Sequence, residues 1–135
     1  MTSGSVRPSL ADCPVMAFVA AANLGTAEAF YVGVLGLRLV QRTDFGLELH
    51  SAATTLRVAR TDSPHRATGT VAGWIVPDVA AAVDGLSARG IVFLRYDGMD
   101  QDPRGVWTSP AGARVAWFAD PDRNVLSLTE PGPPR

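Results

Sequence analysis

The chain has 135 residues, of which 47% are hydrophobic and 19% charged, and its net charge is −1. That is one domain's length, enough to bury roughly two-thirds of the surface the unfolded chain exposes. Twelve basic residues against 13 acidic ones leave no excess for a nucleic-acid surface, and nothing implies a membrane or polyanion partner.

Met1 to Ser5 lacks the cationic stretch and apolar core of a signal peptide. No apolar run approaches the roughly 20 residues that span a bilayer. The single cysteine, Cys13, cannot pair within the chain. It is expected to be a buried small hydrophobe, in a protein suited to a reducing cytoplasm. Polar, proline-interrupted residues 1–12 and 131–135 are expected to be tails of a single domain.

Between the tails the sequence states one pattern twice, in modules of about 13–60 and 70–130. Pro14 to Ala20 is an apolar run of strand length. Asn23 can cap a helix whose buried stripe is Ala27, Phe30, Tyr31, Val34 and Leu35, at i, i+3, i+4, i+7 and i+8. Gly36 ends it in a left-handed cap. Strands are predicted over Leu37 to Arg42, Phe45 to His50 and Thr54 to Ala59, with Ser51-Ala52-Ala53 as a tight connection. After a Pro-, Ser- and Thr-rich linker, Thr61 to Gly69, the pattern restarts at Thr70 to Val76. Asp78 caps a second helix carrying Val79, Val83 and Leu86, and Gly90 ends it. Strands at Ile91 to Arg95, Ala113 to Phe118 and Asn124 to Thr129 follow, the first two separated by a Gly/Asp/Pro-rich loop. The echo of Gly36-Leu37-Arg38-Leu39-Val40 in Gly90-Ile91-Val92-Phe93-Leu94 marks a duplication. The fold class is therefore α+β, with two tandem βαβββ units.

Two stretches carry a family likeness. Ala29 to Leu37 (AFYVGVLGL) resembles the "FY-x-x-x-LG" signature closing the first helix of the vicinal oxygen chelate superfamily, which includes glyoxalases, bleomycin-resistance proteins and extradiol dioxygenases. Phe118 to Leu126 (FADPDRNVL) resembles its "DPDGN" turn, with Arg123 where the family has Gly. Arg123 implies either a turn that does not need positive φ there or some strain. The resemblance covers residues 14–130. It implies a curved mixed sheet, a half-open barrel with helices on its convex side, and a homodimer with its concave sites near the shared interface.

In that superfamily a divalent metal sits in the concavity, held by His, Glu or Gln on the first and last strands of each unit. The resemblance assigns those positions here to Met16, Arg57, Val71 and Ser127. Alternation agrees for two strands: Leu56 and Val58 are apolar between Thr55 and Arg57, and Leu126 and Leu128 between Ser127 and Thr129. A thioether is too soft for these metals, valine has no lone pair, serine is a weak ligand and arginine is a cation. No metal and no cofactor is therefore expected. His50 and His65 are expected to be solvated, and Asp97, Asp100 and Asp102 lack calcium-loop spacing.

Without metal, the concavity is expected to be a ligand site lined by Met16, Phe18, Val71 and Gly73, with Arg57 and Ser127 as polar points. Trp107 either stacks on a planar ligand or merely packs its loop. Trp74 is expected beneath a helix. Arg114 faces the cavity if Val115 and Trp117 face the helices. One functional reading is a metal-independent binding protein that sequesters a planar or aromatic compound, similar to the metal-free drug-binding members. The other is a glyoxalase-, dioxygenase- or lyase-like enzyme, for which Glu48 and His50 supply acid–base groups if Leu47 and Leu49 pack under the helices. A third is an interaction module with a collapsed cavity. No nucleophile elbow, phosphate loop or dinucleotide fingerprint is present.

Overall fold

A computed structural model describes residues 9–63 and 69–133; His65 lies outside them. Ser9 caps a 3₁₀ turn over Leu10–Asp12. Cys13 follows this turn and is exposed, contrary to the expectation of burial, because it precedes the first strand and lies outside the core.

The first module runs β1 (Met16–Ala21), α1 (Leu24–Glu28), β2 (Arg38–Thr43), β3 (Gly46–Ser51) and β4 (Thr54–Arg60). Its strands form a mixed sheet in the order β1-β4-β3-β2, with β1 and β4 parallel and the other pairs antiparallel. Period-two alternation assigns the faces. Val19, Ala21, Leu47, Leu49, Leu56 and Val58 are buried on one face. Met16, Phe18, Glu48, His50, Thr55 and Arg57 fall on the other.

Asn23 caps α1 by accepting from the Thr26 amide at 2.9 Å. After one turn the helix widens into a π-helical stretch, Ala29–Val34, with Leu35 N bonded to Phe30 O at 2.9 Å. Phe30 and Tyr31 are both buried there. Gly36, at φ 81°, ends the segment.

The second module runs β5 (Thr70–Ile75), α2 (Val79–Ala88), β6 (Trp107–Thr108), β7 (Arg114–Ala119) and β8 (Val125–Glu130), in sheet order β5-β8-β7-β6. Asp78 caps α2 through the Ala81 amide at 3.1 Å, and Gly90 follows it at φ 96°. The predicted strand over Ile91 to Arg95 does not form a ladder. Only Leu94 N reaches β7, at Trp117 O (2.8 Å). The Gln101 side chain braces the end of the segment, accepting from Tyr96 N at 2.8 Å and donating to Leu94 O at 3.0 Å and Gly105 O at 2.8 Å. The short β6 occupies the sheet edge instead.

Both modules contribute to one hydrophobic core. Phe118 lies 6.4 Å from Phe30 of the other module and 6.4 Å from Trp74, ring centre to ring centre. Arg89, at the end of α2, donates to Val34 O at the end of the first helical segment (2.7 Å). The helix-bearing faces of the two sheets therefore look inward on shared packing, and the open faces look away from it. Among the described residues no helix is long and apolar enough to cross a membrane.

Candidate functional site

The open face of the first sheet is partly apolar and partly ionic. Met16 and Phe18 are 45% and 59% exposed. Phe18 neighbours Arg57 in the parallel β1–β4 pair, and Arg57 stands opposite Glu48 on β3. His50 Nε2 lies 3.7 Å from Glu48 Oε2. Leu47 and Leu49 are fully buried under the helix, which sends Glu48 and His50 to the same face as Arg57. Among the described residues no carboxylate forms an ion pair with Arg57.

The open face of the second sheet is aromatic. Ala116 and Phe118 are buried, so Val115 and Trp117 point outward, not toward the helix. Trp107 on β6 stands opposite Val115, with its ring 6.3 Å from that of Trp117. Tyr96 meets Trp117 edge-on at 5.5 Å. Ser127 lies opposite Trp117 and beside Gly73. A Cβ at Gly73 would collide with Ser127 Oγ, so that strand pair closes only around a glycine. Of this cluster the sequence points to Trp107, Gly73 and Ser127 but leaves the face of Trp117 open, because β7 is apolar on both sides and alternation carries no signal there.

Two expected lining residues leave the site. Arg114 shares its face with Ala116 and reaches Glu130 and Asp102, each at 3.9 Å, instead of entering a cavity. Val71 is the extra residue of a bulge between Thr70 and Ala72, and it packs partly buried against the core. Trp74 packs under the helix, its Nε1 donating to Ser51 Oγ at 2.9 Å. The remaining residues do not converge within one chain. Met16, Phe18 and Arg57 occupy one open face; Gly73, Trp107 and Ser127 occupy the other.

The two signature stretches meet each other away from both faces. Asp120 accepts from Tyr31 Oη at 2.6 Å and Asn124 Nδ2 at 2.8 Å through Oδ2. Its Oδ1 accepts from the amides of Asp122 and Asn124, each at 2.9 Å. Asn124 Nδ2 also donates to Ala20 O at 2.9 Å, and Asp122 Oδ1 accepts from Ala22 N at 2.9 Å. These bonds fasten the β7–β8 turn of one module to β1 and the helix of the other. Burial and, next, the bond to Asp120 push the Tyr31 hydroxyl far above the ordinary phenol range, so it stays protonated. Arg123 adopts φ 69° in this turn, the left-handed conformation for which the family uses Gly.

The family model for the Glyoxalase/Bleomycin resistance protein/Dioxygenase superfamily matches residues 15–128. The chain belongs to this superfamily. Among solved structures, it is similar to lactoylglutathione lyase from Agrobacterium tumefaciens at 19% identity and a TM-score of 0.69, covering 88% of this chain and 93% of that one. It is similar to a superfamily member from Sphaerobacter thermophilus at 22% identity and a TM-score of 0.69, covering 87% and 96%. TnmS3, an antibiotic-binding protein from Streptomyces sp. CB03234, is 25% identical with a TM-score of 0.64, over 88% and 95% of the two chains. No curated protein matches significantly.

The positions at which the family resemblance leads one to expect metal ligands are Met16, Arg57, Val71 and Ser127. Their donors do not fit a hard divalent ion: one thioether, one hydroxyl, a fixed cation, and a valine drawn toward the core. Among the described residues no three His, Cys, Asp or Glu side chains gather to hold a metal ion. What the two faces offer is a guanidinium with a carboxylate and an imidazole on one side, and two neighbouring, mutually tilted indoles with a hydroxyl on the other.

Proposed function

We propose that the protein is a metal-independent binder of a planar small molecule, acting in the cytoplasm as a homodimer. The observation that carries this is the Tyr96–Trp117–Trp107 cluster on an open sheet face. Aromatic rings presented together stack well on flat ligands, each good contact contributing about 1 kcal/mol beyond its area. Arg57 supplies the directional partner for an acidic or carbonyl group. In the dimer, the first sheet of one copy covers the second sheet of the other. That completes a cavity from Met16, Phe18 and Arg57 on one side and Gly73, Trp107 and Ser127 on the other. The exposure of Phe18 and Met16 in the single chain supports a cover of this kind. The fold shared with an antibiotic-binding protein agrees with sequestration.

Sedimentation together with tryptophan-quenching titrations against a panel of planar natural products tests this. A dimer whose quenching is saturable, and weakened at least about tenfold by Trp117→Ala and by Arg57→Gln, is the expected result. A monomer at tens of micromolar, or quenching indifferent to both substitutions, sinks the reading. Stoichiometric retention of Mn, Fe, Ni or Zn after dialysis would remove its metal independence.

A second reading, an enzyme, is favoured by one observation: Glu48 and His50 share the face of Arg57, with 3.7 Å between carboxylate and imidazole. Acid–base work on a bound carbonyl compound needs those groups at that side. Turnover abolished by Glu48→Gln while ligand affinity is kept would select it.

A further inference from the structure

A cleft of about 410 Å³ lies between the two modules, on the inner, helix-bearing side of both sheets. Leu35, Leu37, Trp74, Leu86, Phe118 and Leu128 form its walls, and its polar side chains are Ser51 and Arg89. The cleft is open to solvent on one side, and a mostly apolar concave surface with a few polar groups is the usual make-up of a small-molecule site. This one is within the size range of small-molecule sites.

Each of its two polar groups keeps hydrogen-bond donors that an anion can use. Ser51 Oγ accepts from Trp74 Nε1 at 2.9 Å, which leaves the hydroxyl hydrogen to donate elsewhere. Arg89 is anchored by one bond, Nη1 to Val34 O at 2.7 Å. Among the described residues no carboxylate pairs with it. Its remaining N–H groups are therefore donors without an acidic partner, at the edge of an apolar hollow.

We propose that this cleft is a second binding site, distinct from the open faces, for a medium-chain carboxylate. The apolar chain packs against Trp74 and Phe118, and the carboxylate lies on Arg89. The proposal does not depend on what binds the aromatic face, and its signal comes from a different tryptophan. Small side chains on α2 keep the hollow open: a Cβ at Gly85 would meet nothing within 4 Å.

Decanoate, with 1-decanol as its uncharged counterpart, is the probe, and the three indole N–H resonances of the ¹⁵N-labelled protein are the readout. Each resonance is assigned by a single Trp→Phe substitution. Decanoate should shift the Trp74 resonance saturably and leave those of Trp107 and Trp117 in place. Arg89→Gln should weaken decanoate about tenfold or more and change decanol by less than about twofold. Gly85→Leu, which fills the hollow on a helix that tolerates leucine, should abolish both shifts with the fold intact. A Trp74 resonance that does not move, movement confined to Trp107 and Trp117, or binding indifferent to Arg89→Gln and Gly85→Leu would each overturn the proposal.

Discussion

The smallest unit with a measurable consequence is the Tyr31–Asp120 hydrogen bond. It joins a residue of the first helical segment to a turn 89 positions away. Tyr31 ionises far above its ordinary range when folded, and near pH 10 when unfolded. A raised folded value means its contribution is complete below about pH 10 and is lost as the pH climbs further, because only the unfolded state then releases the proton. Stability should therefore fall above about pH 10, by up to about 1.4 kcal/mol per pH unit from this group. Tyr31→Phe should cost about 1–3 kcal/mol at neutral pH and flatten that alkaline slope. Denaturant melts at pH 8 to 11 for both proteins check it; parallel slopes would refute the assignment. Arg123 is the second residue-scale case. A non-glycine at φ 69° carries a penalty of about 1–2 kcal/mol, so Arg123→Gly should raise stability by about 0.5–1 kcal/mol despite the looser unfolded chain. A drop in the melting midpoint would show that the Arg123 side chain contributes more than its backbone costs.

At the scale of the element, β3 separates structure from function by alternation alone. Leu47 and Leu49 are fully buried, and truncating either to Ala should cost about 2–5 kcal/mol. Glu48→Ala, between them on the open face, should stay within about 0.5 kcal/mol in stability while altering whatever the open face binds. Denaturation midpoints of the three variants test the face assignment, and equal losses would refute it. The segment after α2 obeys a different rule. Leu94 N bonds to β7, but Leu94 O and the following Tyr96 N are satisfied by the Gln101 side chain instead of a neighbouring strand. Gln101→Ala strands those groups, so it should cost about 1–3 kcal/mol and speed amide exchange at Tyr96 ahead of the β7–β8 ladder. Strand propensity in Ile91 to Arg95 gave no warning of this, because the competing partner is a side chain several residues downstream.

At the scale of the whole molecule, the arrangement of modules decides what a single chain can do. The inward faces share a core, so under the proposed function the two open faces close on one ligand only with a second copy. Binding on the aromatic face should therefore follow the protein-concentration dependence of dimerisation. Phe18→Arg, on an exposed face outside the core, should weaken dimer and ligand together while leaving the monomer folded. A Phe18→Arg protein that still dimerises and binds with unchanged affinity would show that the first sheet is not the cover.

The sequence by itself determined the duplicated βαβββ order, the caps at Asn23 and Asp78, the glycine helix ends, and the buried faces wherever apolar and polar residues alternate. These are local consequences of period and capping chemistry, readable within a few residues. The superfamily was legible for the same reason, since both signature stretches are short and continuous. Tertiary structure decided the rest. It turned Trp117 outward on a strand with two apolar faces, and it drew Val71 toward the core at a bulge. It held Arg114 beside Glu130 and Asp102, and it divided the expected site residues between two faces. None of these has a local signature, because each depends on what a distant part of the chain packs against, and burial is a property of the assembled core rather than of the residue.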